Sequence, residues 1–206
     1  MTSGIYTASG VPVDFENPWS TEIRLSDIEY AAANICRYNG SRRVILLDHF
    51  ALATLLARLY CPGNLHIIGL VGLHDWHETV VGDVVSGLKK LLPDYRAIEG
   101  RWEVYFRSLF GYSKDNPDLA PPDREAVRKA DVRALVLECW ATNHPAYLDV
   151  AERFGGAPTD SEREAYARLQ DLTQTQKWAL NVEAVREGST RNDAWDWQER
   201  WGAGCS

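Results

Sequence analysis

The sequence predicts an all-α fold in a single domain. Apolar residues recur at helical spacing through most of the chain, and the breaks between those stretches fall at Gly, Pro or Asn-Gly. Only residues 5 to 14 carry a strand-like cluster. The 206 residues stay within the roughly 250 that one core supports, and 45% hydrophobic with 25% charged residues is the balance of a globular protein.

In chain order, β-branched and aromatic residues flank Ser9-Gly10 and predict a short N-terminal β-hairpin. Ser26 with Glu29 fits a capping box opening a helix Asp27–Tyr38, with Ile28, Ala32, Ile35 and Cys36 inward and Asn39-Gly40 as its stop. Leu46–Tyr60 is apolar almost all round, so it reads as a central buried helix closed by Pro62-Gly63. Asn64 caps a further helix, Leu65–Val81, apolar as far as His74. Pro93 suits the first turn of Asp94–Phe110, where Ile98, Trp102, Tyr105, Phe106 and Leu109 form a core-facing stripe. Pro121-Pro122 opens Asp123–Ala141, and Thr159 with Glu162 caps a long last helix, Ser161–Arg186. Trp195, Trp197 and Trp201 predict a tail that packs down as a strap. The organisation is therefore a hairpin and lead-in (1–20), a central set of helices (21–145), and a C-terminal helix with a Trp-rich tail (146–206).

The first twenty residues hold neither a basic nor an apolar signal region, and Ile67–Leu73 is far shorter than a membrane span. Four cysteines without a C-x-x-C pair read as reduced and mostly buried, so the expected location is the cytoplasm. A net charge of −7 argues against nucleic acid and anionic membrane as partners. Residues 145–206 hold 11 of the acids and 7 of the bases, so the acidity belongs largely to the C-terminal part and leaves a small anionic ligand open.

Of five histidines, the sharpest setting is Leu73-His74-Asp75-Trp76-His77-Glu78, at the end of an apolar stretch. A buried carboxylate is costly without a positive partner, and a divalent metal is one such partner. His49, after Asp48 in an apolar helix, is odd in the same way, as is Asp131, on a stripe with Val127, Ala134, Leu135 and Glu138. Singly, each reads as a satisfied core histidine or an aspartate paired with arginine. Their order, His…His-Asp…Asp, also suits one metal site.

That order resembles the signature of the HD-domain metal-dependent phosphohydrolases. His49, His74-Asp75 and Asp131 match its four ligand positions, with 25 residues from His49 to His74 and 56 from Asp75 to Asp131. The run HDWHETVVGDVVSGLKKLLPDY is similar to the pattern of the small nucleotide-acting members. The resemblance implies Glu78 beside the attacking water, Asp83 setting up phosphate chemistry, and Arg37 binding phosphate. It departs at Val44-Ile45-Leu46-Leu47-Asp48-His49-Phe50, where the family has a different lead into its first histidine. The short gap from Arg37 to His49 makes Arg42 or Arg43 a substitute for Arg37. Trp76 and His77 fill positions that are small in the family, so His77 is either a pocket group or packing.

Two imidazoles with two carboxylates suit Zn, Co, Mn or Fe, with Mg as an additional ion. On one helix His74 and Glu78, four apart, would share a face. Lys89, with Lys90 and the more distant Lys129, would join Arg37 in offsetting phosphate charge. Tyr38, Trp76 and Trp19 are each able to stack a base or simply to pack, and an apolar group beside C2′, with Ile35 as the candidate, would exclude a 2′-hydroxyl.

By resemblance to phage-type members, the expected activity is hydrolysis of a deoxynucleoside triphosphate, dATP first, to deoxynucleoside and triphosphate, in the host cytoplasm if phage-encoded. The alternatives are a 5′-deoxynucleotidase acting on monophosphates and an inert nucleotide-binding module. A homo-oligomer is expected because members of this fold assemble.

Overall fold

The computed structural model describes residues 4–112 and 119–189. Among these residues ten α-helices follow one another: α1 (Leu25–Asn34), α2 (Leu46–Tyr60), α3 (Leu65–Leu73), α4 (Glu78–Val81), α5 (Ser86–Lys89), α6 (Pro93–Leu109), α7 (Pro121–Ala141), α8 (Tyr147–Arg153), α9 (Asp160–Gln170) and α10 (Gln174–Gly188). No strand occurs among the described residues, and no described helix is long and apolar enough to cross a membrane. The all-α expectation holds. The tail with Trp195, Trp197 and Trp201 lies outside the described residues. The described backbone divides into two compact units, one of residues 4–46, 73–112 and 189, the other of 47–72 and 119–188.

In the first unit the predicted hairpin is absent. One antiparallel bridge, Tyr6 to Pro12, closes a turn in which the Thr7 N–H donates to Val11 and the Gly10 N–H to Thr7, each at 2.9 Å. Pro12 has no N–H to extend a ladder. The Ser9 N–H and hydroxyl are instead taken by Asp27 at 2.7 and 2.9 Å. Asp27 also accepts the Arg24 N–H at 3.2 Å, so α1 starts before the Ser26 cap that the sequence suggests. It ends at Asn34, short of Tyr38, because Cys36 bridges to Ile45 and the Arg37 N–H donates to Val44 at 2.8 Å.

Helix α6 supplies this unit's aromatic core. Trp102, Tyr105, Phe106 and Leu109 are buried on the predicted stripe, and the Tyr105 hydroxyl donates to the Thr21 carbonyl at 3.1 Å. Trp76 is wholly buried edge-on to Phe106 and Phe110, with ring centroids 6.0 and 5.5 Å away. It is a core residue and has no face left for a base.

In the second unit α2 has the predicted bounds, and Leu47, Phe50, Ala51, Leu52, Ala53, Leu56 and Ala57 are almost fully buried. Helices α3 and α10 come very close: a Cβ added at Gly72 would lie 2.9 Å from Val185 Cγ2. Asn181, fully buried, fastens this crossing by donating from Nδ2 to the Gly72 carbonyl at 3.0 Å and to Thr54 at 3.2 Å.

The predicted helix Ser161–Arg186 is broken in two. Its start is right, since Thr159 and Glu162 form the expected capping box. The chain then turns after Gln170, where the Gln176 N–H donates to Thr173 Oγ1 at 3.3 Å and the Thr173 N–H to Gln176 Oε1 at 2.9 Å. That second reciprocal pair opens α10. Helix α8 falls where the sequence suggested no element. Arg133 of α7 makes a two-pronged contact with Glu162 of α9, Nε to Oε1 at 2.7 Å and Nη2 to Oε2 at 2.6 Å, and the Tyr60 hydroxyl donates to the same carboxylate.

No disulfide joins the described cysteines. Cys139 is buried, but Cys61 is half-buried and Cys36 exposed, so burial is less general than expected.

Candidate functional site

The segment His74-Asp75-Trp76-His77 is a turn between α3 and α4, which corrects the expectation that His74 and Glu78 sit on one face of one helix. The Trp76 N–H donates to Leu73 at 3.1 Å and the Glu78 N–H to Asp75 at 3.0 Å, and the Thr79 hydroxyl donates to the Trp76 carbonyl at 2.6 Å. Burial of the Trp76 ring anchors this turn. The His74 Nε2 and Asp75 Oδ2 atoms are then 3.2 Å apart, so both side chains leave the turn in the same direction.

Around Asp75 lies a charged set drawn from α4, α5, α6 and the segment after α1. Arg37 Nη1 is 3.5 Å from Asp75 Oδ2 and 3.8 Å from Glu78 Oε2. Lys89 donates to Glu78 Oε1 at 2.9 Å and meets Glu99 at 2.5 Å. His77 Nε2 faces the same Glu99 at 3.3 Å. Burial first, then the Asp75 charge, pushes the Glu78 carboxyl up to about 7 against the pull of His77 and Lys89. Burial opposes charge on the His77 ring, yet the Glu99 hydrogen bond and the charges of Glu78 and Asp75 raise its pKa overall. Lys89 is likewise raised, burial being outweighed by the two glutamates. Glu78 Oε2 is buried with no hydrogen-bond partner among the described residues.

Arg37 is held by a strained turn. Tyr38 and Asn39 adopt φ of 57° and 52°, followed by Gly40 at 71°. Left-handed backbone costs a non-glycine residue roughly 1–2 kcal/mol. The Tyr38 ring carries the Arg42 guanidinium at 4.5 Å and that of Arg37 at 5.5 Å. Arg43 and Lys90 are exposed, and Ile35 is half-buried. Asp83 is half-buried beyond α4, and its charge adds to the rise in Glu78. Trp19 is exposed and edge-on to Tyr105 at 5.9 Å.

In the other unit, His49 of α2 is fully buried, with carboxylates opposite both ring nitrogens. Nδ1 is 2.8 Å from Glu138 Oε1, and Nε2 is 3.4 Å from Asp131 Oδ1. A neutral ring donating to Glu138 points its Nε2 lone pair at the Asp131 carboxylate. Two acceptors placed face to face call for a cation or a proton between them. Neighbouring Asp48 is neutralised by Lys177 of α10 at 2.8 Å. Lys129, on the same helix as Asp131, has its ammonium 4.4 Å over the Tyr60 ring.

His49, His74, Asp75 and Asp131 together make a group of donors able to hold a divalent metal ion. Two imidazoles and two carboxylates are the mixed set that such an ion takes, and the acceptor pair at His49 fits a cation there.

Two members of these networks escaped the sequence reading as functional groups. Glu138 had a usable signal, seven residues after Asp131 on the same helical stripe. Glu99 had none, because it lies beside the Ile98–Trp102 stripe and reads as solvated.

No family model matches the chain. A search of curated proteins finds similarity to the uncharacterized protein YfdR of Escherichia coli (strain K12), 30% identical over 139 residues, covering 66% of this chain and 70% of that protein. At that identity and coverage, the chain belongs to the same family as YfdR.

Proposed function

We propose that the protein is a metal-dependent phosphohydrolase acting on deoxynucleotides, in first place a triphosphohydrolase that converts dATP to deoxyadenosine and triphosphate. The observation that carries the reading is Glu78: a buried carboxyl pushed up to about 7, with one oxygen on Lys89, the other near Arg37, and Asp75 beside it. A structural acid buried this deeply would be expected to have every oxygen satisfied.

His49, His74, Asp75 and Asp131 would hold the ion, with Zn, Co, Mn or Fe suited to that set and Mg as a further candidate. When bound, a divalent ion supplies Lewis acidity that polarises a phosphoryl oxygen and eases deprotonation of water. Glu78 takes the proton of a water attacking the α-phosphorus. As the bond from that phosphorus to the 5′-oxygen breaks, the proton passes to the departing oxygen. A carboxyl with a pKa of about 7 is matched to both transfers near neutrality, a contribution of ~10²- to 10⁴-fold. Arg37 and Lys89 offset the phosphate charge, and Glu99 keeps Lys89 in place. Asp83 adds to the local negative potential that keeps Glu78 basic. Glu138 fixes the His49 tautomer.

The test is incubation of purified protein with Mn²⁺, Co²⁺, Zn²⁺ or Mg²⁺ and a panel of dNTPs, dNMPs and NTPs, with products separated by anion exchange. Triphosphate released in one step is expected. Orthophosphate from dNMPs alone would move the assignment to a 5′-deoxynucleotidase. No turnover with any metal, alongside normal nucleotide binding by Asp75→Ala, would leave a binding module.

A further inference from the structure

Lys129 does not join the groups around Glu78. It lies on the rim of a separate cavity of about 450 Å³ in the second unit, with Arg128, Arg153, Phe154 and Glu125, over a base formed by Tyr60, Arg133 and Glu162. From this cavity we infer a second ligand site, one that takes a polyphosphate chain.

The base of the cavity is closed and neutral. Arg133 gives Nε and Nη2 to Glu162, Nη1 to the carbonyls of Phe154 and Gly156 at 2.9 and 2.8 Å, and Nη2 to that of Ala157 at 3.2 Å. Glu162 is equally occupied, since it also accepts from Tyr60 and from the Thr159 N–H at 2.7 Å. These two charges cancel, and the network holds the loop that follows α8. Gly155 and Gly156, at φ of 97° and 88°, let that loop pass close over the Arg133 guanidinium; a Cβ at Gly155 would lie 3.6 Å from Nη1.

The rim is cationic. Among the described residues Glu125 is its one acid and stands 3.6 Å from Arg128, both of them exposed, a pairing of little strength in water. Lys129 and Arg153 have no carboxylate partner among the described residues; each lies over an aromatic ring instead, Lys129 on Tyr60 at 4.4 Å and Arg153 on Phe154 at 5.3 Å. A guanidinium stacked by its face keeps its N–H edge for two-pronged contact with phosphoryl oxygens. The lining is thus net positive in a chain of net charge −7. Its volume falls within the ~300–1,000 Å³ of small-ligand sites. Several cations around one concavity match an anion with charge spread over two or three linked phosphoryl groups, whether free or as the tail of a nucleotide.

The experiment is isothermal titration of the full chain in chelator with inorganic triphosphate, with ATP, and with orthophosphate as control. Wild-type protein should bind triphosphate saturably and orthophosphate far more weakly. Lys129→Glu with Arg153→Glu should weaken triphosphate by ~10-fold or more, as loss of even one charge-assisted contact would. Arg37→Ala should leave it within about twofold, a contrast that separates this site from the groups around Glu78. Equal losses for triphosphate and ATP identify the free chain as sufficient, and a loss for ATP alone identifies the nucleotide tail; both support the site. Lys129 and Arg153 are exposed, so folding should survive, and the single alanine variants give the same comparison if it does not. Triphosphate and ATP binding both unchanged by the reversals, triphosphate binding lost in Arg37→Ala instead, or no binding of either in wild type overturns the inference.

Discussion

Replacing Glu138 by glutamine removes one charge and almost nothing else. The carboxylate is 3% exposed and 2.8 Å from His49 Nδ1, and a glutamine oxygen at the same place still accepts that ring proton. Stability should therefore change little. The imidazole should become a weaker ligand, because the charge that raises its basicity is gone, and losses of roughly 10- to 100-fold in metal affinity accompany removal of such partners. That corresponds to about 1.4 to 2.8 kcal/mol of binding free energy. Glu138→Ala differs in kind: it leaves a buried ring N–H without an acceptor, at a further cost to folding of about 1–3 kcal/mol. The assay is competition titration of Zn²⁺ or Mn²⁺ against a chelator, beside thermal unfolding of the metal-free proteins. Glutamine should lower affinity at near wild-type melting temperature, and alanine should lower both. Wild-type metal affinity in both variants would refute His49 as a ligand.

Three further outcomes are expected. Glu78→Gln should retain divalent metal while turnover falls by ~10²- to 10⁴-fold, checked by metal analysis and steady-state kinetics. Gly72→Ala forces a Cβ within 2.9 Å of Val185 and should destabilise the protein by about 1–3 kcal/mol, read by urea unfolding; Val185→Ala on top should recover part of it. Despite burial, Glu162 is held down to about 2 by Arg133, Tyr60 and the Thr159 N–H, against an ordinary 4.5. Its folded pKa is the lower one, so its contribution to stability is complete above about pH 4.5 and is lost as pH falls toward 2. Urea midpoints for Glu162→Gln should accordingly lie below wild type at pH 6 and converge with it at acid pH.

The helices that the sequence discloses are those whose pattern and stops agree. Leu46–Tyr60 was readable to the residue because a mostly apolar run ends at Pro62-Gly63. The α6 stripe was readable because its aromatics recur at one period and Pro93 fixes its start. What was hidden depended on long-range competition for backbone groups. Asp27 serves Ser9 and Arg24 at once, and nothing near Ser9 announces a carboxylate eighteen positions on. The break between α9 and α10 did have a local signal, Thr173 with Gln176, but it sits inside a stretch that already reads as helical.

The end of α3 at Leu73 matters most for function, and the sequence reading erred there. A helix carried through to Val81 would place Trp76 by helical phase alone. The aromatic ring instead finds its burial against Phe106 and Phe110, and satisfying it turns the chain at the His-Asp pair. The turn brings His74 Nε2 and Asp75 Oδ2 to 3.2 Å, which successive residues of a regular helix, about 100° apart around its axis, do not favour. It also starts a new short helix at Glu78, with Arg37 and Lys89 on its two oxygens. The large residue at position 76 is thus what sets the geometry of its neighbours. Trp76→Ala should therefore disturb the His74-Asp75 pair and the Glu78 carboxyl together, lowering metal affinity as well as stability. Stability lost with metal affinity intact would show that the turn is held by something other than the buried ring.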